Sequence, residues 1–191
     1  MEETERKRGE RRKVFYDFYQ VTMILSLIIS VITIILIWTR RNIYGAKSMI
    51  ILLIAIFIWT LGYYLESRSI TLERQLLFNN IGYLGAMMLP PAWFTFAINY
   101  SNNTRVIWGI NWNMILLCTI PFVVTVLVWT NDYHNLMWAN EHLSTSGPFL
   151  VTIKTYGPMF WVAVIYNYSL IFAGSVILLR RLFVGKQVYF R

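Results

Sequence analysis

The residues with chemical capacity are few and fall in two neighbourhoods. The first is Thr130-Asn131-Asp132-Tyr133-His134-Asn135-Leu136-Met137-Trp138, a polar stretch between two long apolar runs. His134, with Asp132, Glu141 and His142 nearby in sequence, would supply imidazole and carboxylate ligands for a metal, or a proton-sensing group near neutral pH. The plainer reading is preferred: His134 and Asn131 hydrogen-bond the loop backbone so that it packs as a lid, with Trp138 buried beneath. No His-x-x-Glu-His, Cys-x-x-Cys or phosphate-loop pattern supports metal or nucleotide chemistry, so neither metal nor cofactor is expected.

The second neighbourhood holds Glu66, Asn79 and Asn80. An ionisable residue at a membrane face needs a partner and often marks a site, so Glu66 is either a ligand contact or the partner of Arg68 or Arg74. For Asn79, Asn80 and Asn167 an interhelical hydrogen bond stands ahead of ligand contact. Glu66, Asn79, Asn80, Asn131, His134 and Trp138 are therefore the ligand or sensor candidates. No residue is assigned a catalytic role, because no Ser or Thr inside an apolar run faces a His or Asp at matching depth.

The elements that position these residues are membrane helices. The 191-residue chain is 57% hydrophobic and only 14% charged, against about a quarter charged in soluble domains. Its net charge of +8 sits at the ends of apolar segments, which is the pattern of headgroup anchoring and not of a nucleic-acid-binding face. The lone Cys118 excludes an intrachain disulfide.

The fold class expected is all-α, an integral membrane helical bundle of five spans at about 18–38, 48–65, 76–100, 106–129 and 157–179. The first rises roughly 31 Å as a helix, matching the hydrocarbon thickness of a bilayer. A charged tail, 1–17, is expected to be disordered or to lie on headgroups. In span three Gly82 and Ala86 form a small-xxx-small face for close helix approach, while Pro90 and Pro91 interrupt the hydrogen-bond ladder. The long connection 130–156 is expected to be a functional lid and not a mere turn. Lys and Arg are almost equally divided between the two sides, so charge alone does not orient the chain.

Several fragments, in order and spacing, give the chain a resemblance to the seven-transmembrane sensor region at the amino end of prokaryotic histidine kinases. The family's Pro-Gly-Ala after span one appears as Tyr44-Gly45-Ala46, with Tyr in place of Pro. Its span-two Trp, Gly-Tyr and Glu resemble Trp59, Gly62-Tyr63 and Glu66, and its span-three pattern resembles Tyr83, Gly85, Pro90, Trp93 and Phe96. Most specific is Thr-Asn-x-x-His-x-Leu-x-Trp, here Thr130, Asn131, His134, Leu136 and Trp138, preceded by Pro121 and followed by Pro158 and Trp161 at the entry to span five.

The resemblance implies a multi-pass sensor of two-component signalling in the cell membrane, amino end outside and carboxyl end cytoplasmic. Its partners would be the lipid bilayer, an unknown small ligand, and a second copy or another membrane protein, with no nucleic acid. The family continues with two more spans and a kinase core, whose phosphoacceptor-His and ATP-binding motifs are not found here. The chain is therefore expected to be a truncated sensor or a stand-alone remnant, without enzyme activity. The alternative is a free-standing membrane scaffold or transporter subunit with no signalling role.

Overall fold

Long aliphatic runs satisfy their backbone hydrogen bonds internally when they are helical, which is the condition for residing in lipid. The computed structural model describes residues 2–101, 112–144 and 150–188. It contains α1 (Glu2–Thr39), α2 (Ala46–Arg68), α3 (Leu72–Ser101), α4 (Trp112–Trp129), the short α5 (Asn131–His134), β1 (Trp138–Ser144), β2 (Val151–Tyr156) and α6 (Pro158–Val188). Among the described residues four segments are long and apolar enough to cross a bilayer: Val14–Thr39, Ala46–Arg68, Leu72–Ser101 and Pro158–Phe183. Ile115–Trp129 is a shorter apolar helix, and the expected beginning of that span, 106–111, lies outside the described residues.

The backbone of 2–17 is helical and continuous with the first span. One expectation is corrected: the all-α class gives way locally, because β1 and β2 pair antiparallel, with Trp138 opposite Tyr156 and Ser144 opposite Val151. The second strand reads Val-Thr-Ile-Lys-Thr-Tyr, a β-branched and aromatic composition suited to a pleated surface.

Glycine sets how closely the helices approach. A Cβ on Gly62 would lie 2.5 Å from the Gly82 Cα, and one on Gly85 would lie 2.5 Å from both the Ala55 carbonyl oxygen and the Trp59 nitrogen. The small face of α3 thus packs on α2 through Gly82 and Gly85. Ala86, four residues on from Gly82, lines a cavity together with it. At the start of α2, Gly45 has φ 79, a left-handed conformation that Gly adopts without penalty.

Polar side chains pin the helices to one another. Gln20 donates to Ser67 at 2.8 Å, joining α1 to α2, and Asn99 donates to Ser48 at 2.8 Å, joining α3 to α2. The Trp93 indole donates to the Ile171 carbonyl at 3.2 Å, joining α3 to α6. α3 runs through Pro90 and Pro91 as one helix with both prolines buried, so the missing N–H groups weaken its ladder there without ending it. The buried apolar cluster lies at the hairpin end and consists of Met87, Val124, Val128, Met137, Trp138 and Ala163.

Candidate functional site

The Thr130–Trp138 stretch builds the foot of the hairpin. The Asn131 carboxamide donates to the Trp138 carbonyl at 2.8 Å and accepts from the Met137 and Trp138 amides at 3.0 and 3.3 Å. One buried side chain therefore satisfies three backbone groups that water cannot reach. His134 accepts the Leu136 amide at Nδ1, 3.0 Å, and its Nε2 lies 3.1 Å from the Thr130 hydroxyl. Asn135 closes the turn at φ 51. Both ring nitrogens of His134 are thus engaged locally, and His142 lies on the exposed side of β1 with Nδ1 3.0 Å from the Asn140 carbonyl. Among the described residues no three His, Cys, Asp or Glu groups gather in a way that could hold a metal ion.

Trp138, only 1% exposed, is the plug beneath this foot. Its ring packs on Tyr83 of α3 at 5.1 Å between centroids. Above it the Lys154 ammonium of β2 sits 4.0 Å from the indole centroid and donates to Asn79 Oδ1 at 2.9 Å. The same strand is anchored one step along, where buried Thr152 donates to Gln75 Oε1 at 2.6 Å and Gln75 donates to the Ser69 carbonyl at 2.9 Å. β2 is therefore fastened to the amino-terminal end of α3 by two side-chain hydrogen bonds.

Under the hairpin, α2, α3 and α6 enclose a cavity of about 170 Å³. Its aromatic wall is Trp59, Tyr63, Tyr83 and Phe160, and its polar groups are Glu66, Asn79 and Asn167. The Asn167 amide nitrogen contacts the Met87 sulfur at 3.8 Å, while its Oδ1 is buried without a hydrogen-bond partner among the described residues. Burial holds the Lys154 ammonium below the usual lysine range, with the Glu66 and Glu141 carboxylates pulling it partly back. Burial pushes the Glu141 carboxyl up, as does Asp132; Lys154 and the hydrogen bonds from Trp138 and Asn131 oppose this.

The six sequence candidates thus separate. Glu66 and Asn79 line the cavity; Asn80 neighbours Asn79, accepting from its amide at 3.4 Å, and is not in the lining. Asn131, His134 and Trp138 shape and seat the hairpin, which touches the cavity's Tyr83 and Asn79. Sequence reasoning missed Lys154 and Gln75, whose partners lie 75 and 77 residues away in the chain. The signal for Lys154 was a single cation in an otherwise uncharged β-branched strand.

No curated protein and no solved structure matches the chain. The family model described as the N-terminal 7TM region of histidine kinase matches residues 22–191, which takes in the cavity, the hairpin and the helices that hold them. A membrane-embedded helical bundle in contact with lipid, serving as an input region in signalling, is what that match supports. The chain belongs to the family of N-terminal seven-transmembrane regions of histidine kinases.

Proposed function

We infer that this region senses a small ligand in the cavity between α2, α3 and α6, with the hairpin as its roof. The observation behind this reading is the convergence of Glu66, Asn79 and Asn167 on one aromatic-walled hollow. Pockets that combine apolar walls with a few convergent polar groups are the usual form of a small-molecule site. The reading takes α4 as a fifth span, and the hairpin, the cavity and the amino end as facing outward. The carboxyl end is then cytoplasmic.

Signalling requires that ligand bind one arrangement better than another. α3 is the element suited to have two. Its first turns hold Gln75 and Asn79 against the hairpin, its middle carries Pro90 and Pro91, and its last turn is gripped by Arg181 of α6, which donates to the Tyr100 and Ser101 carbonyls. A tilt of the outer half of α3 would change how its inner end sits on α6, and a further segment, a second copy or another membrane protein packed there would read the change.

The test grafts residues 1–191 onto the remaining spans and kinase of a relative and measures signalling with Glu66→Ala, Trp138→Ala and His134→Ala in turn. Altered basal or stimulated output from Glu66→Ala is expected. Parent-like output from all three at normal expression would leave the hairpin a structural cover and end the sensing claim. For orientation, Ser144→Cys should react with an impermeant thiol reagent in intact cells; reaction only after lysis would reverse it.

A further inference from the structure

The inference deepens the ligand-site reading and rests on it. The polar groups of the cavity are unbalanced in kind. Glu66 offers carboxylate oxygens, and Asn167 offers a carbonyl oxygen with no hydrogen-bond partner among the described residues. Lys154, the cation on which the Glu66 carboxylate acts, is outside the lining, with its ammonium committed to Asn79 and to the Trp138 face, so it offsets Glu66 only through space. A carboxylate removed from bulk water is costly unless a positive or hydrogen-bonded partner meets it. An anionic ligand would add to that cost, because it would bring a second negative charge beside Glu66. A ligand that donates hydrogen bonds and carries positive charge would relieve it.

The walls point the same way. Trp59, Tyr63, Tyr83 and Phe160 present aromatic surface around the hollow, and aromatic faces attract ammonium groups by their quadrupole. Just outside it, Lys154 sits over Trp138 and on Asn79, so the same kinds of group already hold an ammonium at the roof. Size sets the ligand class further: the cavity is about 170 Å³, against about 150 Å³ for an engineered cavity that admits benzene. One ring with a short aminoalkyl arm fills such a space.

We propose that the cavity beneath the hairpin binds a small organic ammonium compound of about one ring, its charged nitrogen held by Glu66 and Asn167 and its apolar part by the aromatic wall. Binding also places a second positive charge near Lys154, which favours release of that ammonium from Asn79 and loosening of β2 from α3. Ligand chemistry and roof position are thereby joined.

The experiment titrates the full chain in lipid nanodiscs with three probes of matched shape: benzylamine, benzyl alcohol and benzoate. Benzylamine is protonated at neutral pH and should bind at least about tenfold more tightly than benzyl alcohol, as a charge-assisted hydrogen bond exceeds a neutral one; benzoate should not bind. Glu66→Gln, which keeps the side-chain shape, should weaken benzylamine about tenfold and leave benzyl alcohol unchanged. Ala86→Leu, filling the cavity, should remove saturable binding of both and so separate the site from partition into lipid. Equal binding of benzylamine and benzyl alcohol by the unaltered chain, abolished by Ala86→Leu, would overturn the ammonium assignment and leave the ligand-site reading intact. Saturable binding of none of the three, with an Ala86→Leu graft signalling like its parent, would overturn both.

Discussion

Two hollows flank α3, and they differ in the opposite sense to their size. The cleft on the α4 side, about 360 Å³, is lined by residues such as Leu84, Met88, Pro91, Leu117 and Phe122. Its hydroxyls are largely engaged: Ser48 accepts from Asn99, and Thr125 bonds the Pro121 carbonyl at 2.8 Å. The cavity on the α6 side has about half the volume but holds a carboxylate and two carboxamides, and its Tyr83 and Asn79 contact the hairpin. In a bilayer the first is a surface that acyl chains can fill, since lipid tails are as apolar as leucine. Volume therefore does not identify the chemistry here; convergence of polar groups under a fastened hairpin does.

The largest perturbation strikes the wall common to both hollows. Gly85→Ala would put a methyl 2.5 Å from backbone atoms of Ala55 and Trp59, so α2 and α3 must separate. Overpacking of this kind costs about 2–3 kcal/mol, and thermal unfolding of the purified variant should show the loss. An unchanged transition would mean that the two helices are not held at glycine contact distance, and neither hollow would then be defined.

The next change should distinguish the hollows. Asn131→Ala leaves the buried Met137 and Trp138 amides without their acceptor, at a cost of about 1–3 kcal/mol. Because its side-chain bonds all lie within 131–141, faster hydrogen exchange is expected in 136–144 and 150–156 with little change in 115–129. Equal acceleration in both regions would show that the roof and the cleft unfold as one unit.

A third difference is in titration. The folded pKa of Lys154 lies below its ordinary value of 10.5 because burial disfavours the charge. Between the two values the unfolded chain holds more protons, so Lys154 contributes stability that grows as pH rises through that window. Lys154→Met should flatten this rise in urea unfolding followed across the alkaline range. If the variant retained the full slope, the ammonium would not be buried against Trp138, and the roof would be looser than described.

How much of this was legible in the sequence follows from the range of each interaction. Helices were readable from uninterrupted apolar runs, and the foot of the hairpin from Asn131, His134 and Trp138, because these residues act within ten positions of one another. The strands were not: Val151–Tyr156 is short, and its register depends on its pairing with β1. Gly85 was visible as part of a family pattern, but its closeness to Ala55 is a tertiary fact. In the sequence Lys154 is one more positive charge near the membrane. Its meaning depends on Asn79 and Trp138, which converge on it from separate elements and leave no local trace.

The smallest expected effect is the one that most sharpens the contrast. Phe122 lines the larger cleft yet is 71% exposed, so most of its surface faces whatever surrounds the bundle. Phe122→Leu exchanges one apolar side chain for another in an apolar surrounding, leaves no buried polar group unpaired and removes no packed contact of the core. Substitutions of that kind fall within about 0.5 kcal/mol. The variant should therefore melt with the parent, and the grafted receptor should signal with the parent's threshold and amplitude. Cleft and cavity share α3 as a wall, so an inert cleft is a real test: a ligand acting on α3 from the α4 side would feel the lost ring at once. If Phe122→Leu shifted the signalling threshold while Glu66→Gln did not, the larger hollow would be the sensory one, and the polar cavity would be an internal brace for the hairpin.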